Sequence, residues 1–208
     1  MNSENSNDRI EALLDYWFDG DPAERGRPEE LMRKWFASTP DQDRELMQKF
    51  GALAQSAGRG ELEQWADSAR GRLALIILLD QLPRSLFRGT AEAFAGDPKA
   101  LAICLEGLDR GQDRSLHALE RLIFCMPLQH SESRSIQARS IDVFEDLASS
   151  VDSGPLASVL ETTADYAREH REIIERFGRF PHRNRTLGRP STDEEREFLD
   201  SGGPTYGQ

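Results

Sequence analysis

Apolar residues recur at helical spacing along almost the whole chain. Ile10, Leu13, Leu14 and Trp17 stand at i, i+3, i+4 and i+7, which places them on one stripe of an amphipathic helix. The run Gly20-Asp21-Pro22 is a stop signal for that helix. Pro28 opens a second, carrying Leu31, Met32, Trp35 and Phe36. A third follows Pro40, with Leu46, Phe50 and Leu53 on one face and Gly58-Arg59-Gly60 at its end. Leu62 and Trp65 mark a short fourth. Residues 72–82 differ from all of these, because Leu73, Leu75, Ile76, Ile77, Leu78, Leu79 and Leu82 leave no polar face. A helix of that kind must be enclosed by others, and Pro83 is predicted to break it.

Beyond it, Asp97-Pro98 reads as an N-cap with proline behind it, starting a helix that closes near Gly111. Leu116–Met126 forms the next, stopped by Pro127. Ser133–Ser149 carries Ile136, Ile141, Val143, Phe144 and Leu147, and Gly154-Pro155 precedes a long helix over Leu156–Phe177. Thr192 and Glu195 have capping-box spacing ahead of a short last helix with Phe198 and Leu199. About ten helices and no convincing strand predict an all-α protein. Its short turns imply an irregular helical-hairpin array around the central apolar helix, residues 72–82. No repeat of 34 or so residues is visible. The expected organisation is a flexible tail over 1–8, one all-α domain over 9–200 and a second flexible tail over 201–208.

The longest uninterrupted apolar run, Leu73–Leu79, has seven residues, far short of the roughly 20 that cross a bilayer. Residues 1–8 have no apolar core of a signal peptide, and the two cysteines, Cys104 and Cys125, sit in apolar helical patterns without metal-ligand spacing. Buried free thiols and a cytoplasmic location are expected. A formal net charge of −11 argues against nonspecific nucleic-acid binding by the whole surface. No P-loop, dinucleotide fingerprint or GxSxG is present, so no cofactor or covalent nucleophile is expected.

Against that acidic background, Arg176–Arg189 holds five arginines, one histidine and no acid. Even scattering of the 26 bases and 37 acids would put about 1.8 and 2.5 of them in those 14 positions. The local reversal points to something anionic. Only three of the bases in the chain are lysines, so arginine as a type carries little information, whereas its clustering without acids does.

Polar side chains also fall on apolar faces, where burial must be compensated. His170 lies within the stripe Val159, Leu160, Thr163, Tyr166, Ala167, Ile173, Ile174 and Phe177, on the helix that delivers the chain into the basic run. Glu120 shares a face with Leu116, Ile123 and Pro127 and needs an arginine partner. Two junctions, Asp80–Arg88 and Met126–Glu132, place charged groups at the ends of inner helices.

If these junctions converge, the candidate catalytic residues are His130, His170 and His182. Asp80, Arg84, Arg88, Glu120, Glu132, Arg179, Arg183 and Asn184 are then the candidate ligand-binding residues. Arginine forks suit carboxylate or phosphate, and histidine can transfer protons. A metal held by Asp80, His130, Glu132, His170 and His182 is disfavoured by irregular spacing and by the arginines beside them. Three readings fit. One is a small-anion pocket with histidine acid–base chemistry, the second a binding module for an acidic peptide or protein, and the third a structural basic loop.

The blocks Leu79-Asp-Gln-Leu-Pro-Arg-Ser-Leu-Phe-Arg-Gly-Thr90 and Ala93-Phe94-Ala-Gly-Asp97 resemble the DUF924 family of bacterial proteins. So do Met126-Pro-Leu-Gln-His-Ser-Glu132, Gln137, His170–Asn184 and Leu187-Gly-Arg189. The resemblance extends from the first helix to about Leu199. It implies a helical fold similar to tetratricopeptide-repeat (TPR-like) proteins and brings no assigned function. Leu82 stands where an aromatic is expected, and Gln129 where an acid is expected.

Overall fold

The computed structural model describes residues 3–20, 27–37 and 39–206. Its ten α-helices are α1 (Ser3–Phe18), α2 (Pro28–Phe36), α3 (Pro40–Gly58), α4 (Ala69–Ile76), α5 (Leu82–Leu86), α6 (Asp97–Asp109), α7 (Ala118–Gln129), α8 (Arg134–Ser149), α9 (Pro155–Phe177) and α10 (Asp193–Asp200). Single turns of 3₁₀ helix link several of them, and no strand occurs among the described residues. The chain is all-α, as its periodicity requires. Helix α1 begins at Ser3, ahead of the apolar stripe. It ends at Phe18, where Asp19 and Gly20 take positive φ; the predicted stop residues Asp21 and Pro22 lie outside the described residues.

The central element is longer than its apolar run. Residues 71–83 are buried without interruption, and α4 leads through a π-helical turn (Ile77–Gln81) into α5. Pro83 therefore does not end the helix. The amide of Leu82 reaches back five residues to the carbonyl of Ile77, and the widened turn accommodates the proline ring. The Leu79 carbonyl, deprived of the amide that Pro83 lacks, packs against Gly96. A Cβ on Gly96 would lie 2.0 Å from that oxygen.

Pro127 likewise lies inside α7, which runs on to Gln129. The buried Gln137 amide on α8 donates to the carbonyls of Gln129 (2.9 Å) and Ser131 (2.6 Å), satisfying the helix end that carries His130.

Helices α8 and α9 form the most extensive pair, joined by residues 150–154, while α4 packs against α1, α6 and α7. The main core gathers Leu13, Trp17, Trp35, Leu73–Leu79, Phe124 and Phe144. A satellite core of Ile173, Ile174 and Phe180, with Phe177, Phe198 and Tyr206 against it, anchors the segment after α9. Gly178 ends α9 at φ 70, the left-handed conformation that glycine adopts without strain. Residues 201–206 do not extend away as a tail. Tyr206 stacks on His170 at 4.2 Å, and its hydroxyl donates to Glu169, because that ring is the remaining apolar cover for the end of α9.

Candidate functional site

A cavity of about 590 Å³ opens between α2, the α5 region, the end of α7, α9 and the loop after α9. All three polar junctions contribute to it. Arg84 and Arg88 come from the first, His130 from the second, and His170, His182 and Arg183 from the third. Asp80 is fully buried directly behind His130. Its Oδ1 lies 2.7 Å from His130 Nδ1 and 3.3 Å from Arg84 Nη2, and the Gln81 amide donates to its other oxygen.

Asp97 completes the polar floor. Sequence spacing makes it an N-cap of α6, but Gly96 takes that place, and the Asp97 carboxylate faces two guanidiniums instead. Arg84 donates to Asp97 Oδ2 at 3.1 Å, and Arg183 donates to the same oxygen at 3.2 Å. Arg183 also donates to the His130 carbonyl at 3.1 Å. Its guanidinium is held between the rings of Phe94 and Phe180, 4.7 and 4.6 Å from their centroids. Asp80, His130, Arg84, Asp97 and Arg183 thus form one connected network.

The electrostatics of this floor keep the histidines neutral. Burial lowers the His130 pKa, and Arg84 beside it adds to the effect. Burial alone would raise the Asp80 carboxyl, yet His130 first, then Arg84, and the Gln81 amide outweigh it and hold the carboxyl ionised, well below the usual carboxylate range. A neutral His130 donating Nδ1–H to an ionised Asp80 leaves the Nε2 lone pair as its free acceptor. His170 is brought down to about 3, chiefly by burial, and its Nδ1 donates to the Tyr166 carbonyl at 2.6 Å. His182 is also brought down to about 3, by burial and by Arg183. Burial and the neighbouring Arg84 bring Arg183 down to about 10.

The basic run is largely neutralised by acids that lie outside it. Arg176 pairs with Glu194 (2.9 Å), Arg179 with Glu195 (2.6 Å), Arg183 with Asp97, and Arg189 with Glu132 (2.7 Å). Of its five arginines only Arg183 lines the cavity. Arg179, Glu132 and Asn184 lie off the cavity and order the loop. Glu132 accepts from the Phe180 amide as well as from Arg189, and Asn184 donates to Ser191 and Glu195 while accepting from Arg189. Glu120 lies elsewhere, accepting from Arg70 (2.7 Å) and closing a capping box with the His117 amide. Among the described residues no group of three His, Cys, Asp or Glu side chains could hold a metal. Cys104 and Cys125 are free and buried, away from the cavity.

Several lining residues carry no local sequence signal of a site. Met32, Trp35 and Phe36 read as core, yet Phe36 is 47% exposed and Tyr166 46%, and both line the cavity. Asp97 was masked by its helix-start position, and Tyr206 by its place near the C-terminus.

The model of a family described as bacterial protein of unknown function (DUF924) matches residues 13–203. A solved structure of a protein of unknown function from Agrobacterium tumefaciens is similar over 95% of this chain and 99% of that one, at 34% identity and a TM-score of 0.78. No protein with a curated description matches the chain.

Proposed function

The chain belongs to the DUF924 family of bacterial proteins of unknown function, and we propose that its cavity binds a small anionic molecule on which His130 moves a proton. The observation that carries this reading is the Asp80–His130 contact set beside Arg84 and Arg183 at the cavity floor. An imidazole held in one tautomer by a buried carboxylate is a positioned proton acceptor, and a planar guanidinium in reach of it can take the charge of a carboxylate or phosphate. A hydroxyl of the ligand would donate to Nε2 while its charged group lies against the two arginines.

The arginines of the loop give little support to an acidic peptide clamped along the outside. Arg176, Arg179 and Arg189 already face Glu194, Glu195 and Glu132.

The experiment is a thermal-shift panel of phosphorylated and carboxylated metabolites on the intact protein. A binder at one hundred times its Kd stabilises the fold by about 2.7 kcal/mol. At least one such compound is expected to raise Tm in the wild type and to lose most of that shift in Arg183→Met, with helical content checked by circular dichroism. No shift from any anion at millimolar concentration would overturn the proposal.

A further inference from the structure

The cavity is much larger and more one-sided than a bare anion requires. At about 590 Å³ it falls within the roughly 300–1,000 Å³ of cavities that enclose drug-sized ligands. Helix α9 lines it from Ser158 to His170, twelve steps that rise about 18 Å at the α-helical repeat. The network of Asp80, His130, Arg84, Asp97 and Arg183 lies at the His170 end, where His130, Arg183 and Arg84 act on the His170 ring. Glu29 and Arg88 are the other charged lining residues.

The rest of the wall offers little to a polar ligand. Helix α2 contributes Met32, Trp35 and Phe36, with Glu29 in its first turn, and α9 contributes Val159 and Tyr166. Both threonine hydroxyls along this stretch are engaged within their own helix: Thr162 donates to the Ser158 carbonyl at 2.8 Å, and Thr163 to that of Val159 at 2.7 Å. The Trp35 indole donates to the Trp17 carbonyl, so its polar atom is likewise engaged away from a ligand. Phe36 and Tyr166 stay about half exposed there, although large apolar side chains are usually covered.

We infer that the ligand is an amphipathic anion: one carboxylate or phosphate head at the Arg84–Arg183 end, and an unbranched apolar tail laid between α2 and α9 toward Ser158. This rests on the anion-binding reading above and adds the tail. Charge at one end and an unsatisfied apolar wall beyond it select a molecule that is itself charged at one end only.

The test is calorimetric titration of the full chain with a series of n-alkanoates from acetate to octanoate. The matching n-alkyl phosphates and 1-octanol are titrated alongside. Each methylene placed on the wall is expected to tighten Kd about threefold to fourfold, following roughly 0.8 kcal/mol per buried CH₂. Octanoate or octyl phosphate should exceed 1-octanol by at least tenfold, and the stronger series identifies the head. Phe36→Ser, at a half-exposed position, should weaken the eight-carbon ligand at least threefold and leave the two-carbon one unchanged. Anions that bind with a Kd independent of chain length would overturn the tail while leaving the anion site standing. Failure of every anion, short or long, would overturn both.

Discussion

Asp97 and Arg183 lie 86 residues apart in sequence and meet at 3.2 Å. With Arg84 on the same carboxylate, this contact ties the loop after α9 to the start of α6 and fixes the polar floor of the cavity. Removing the Asp97 charge leaves two neighbouring guanidiniums in a largely buried place without their shared counter-charge. Asp97→Asn is expected to lower the unfolding free energy by about 3 kcal/mol. Urea denaturation measures this, and 10 mM phosphate should restore part of the loss by supplying an anion. A loss below about 1 kcal/mol would mean that the pair does not organise the floor.

Gly96 precedes that aspartate for a steric reason. An alanine Cβ there would collide with the Leu79 backbone oxygen, and backbone cannot swing aside as a side chain can. Gly96→Ala should therefore cost about 1–3 kcal/mol in the same assay. A neutral or stabilising result would contradict the close approach of α6 to the central helix.

The buried histidines set a pH dependence whose sign follows from linkage. In the unfolded chain His170 and His182 accept protons near 6.5, but in the fold only near 3. Between those values the unfolded state holds more protons, so stability is full above pH 6.5 and falls as pH drops. Each histidine contributes about 1.4 kcal/mol per pH unit in that window. The interval from pH 6.5 to 5 is the cleanest, because unfolded carboxylates titrate mostly below it. Chemical denaturation at four pH values should show the slope, and His170→Phe should reduce it by that one histidine's share, the lowered His130 and His182 supplying the rest. An unchanged slope in that variant would assign the effect elsewhere.

Tyr206 covers His170, and its loss should be felt there first. Tyr206→Ser removes a stacked ring, costing about 1 kcal/mol. It also opens the imidazole to water, so the His170 pKa should rise from about 3 toward 6.5. Titration followed by NMR reads this directly, and a pKa that stays near 3 would show that the C-terminal segment does not shield the site.

What the sequence revealed, and what it hid, divides by the range of the interaction. The stripe from Val159 to Phe177 needs only a 3.6-residue repeat to be read, and α9 occupies Pro155–Phe177. The prolines misled, because their local effect is to break a helix. A π-helical turn before Pro83 and the Gln137 amide beneath the end of α7 are tertiary answers that no local pattern announces. The basic run misled in the same way. Its arginines cluster in sequence, while the acids that meet Arg183 and Arg189 stand 86 and 57 residues away. His130 and Asp80, 50 residues apart, were each visible as a polar group at a helix junction, but their contact was not.

His130 is expected to be neutral, oriented by Asp80 and facing the bound anion. The chain has four histidines, and His117 caps α7 away from the cavity. One ¹⁵N NMR titration of histidine-labelled protein at pH 7 with butyrate therefore separates site from bulk. The expected result is a His130 ring protonated at Nδ1 and bare at Nε2, with its Nε2 resonance moving saturably on titration while His117 stays still. A His130 protonated at Nε2, or one unmoved while butyrate binds, would contradict it.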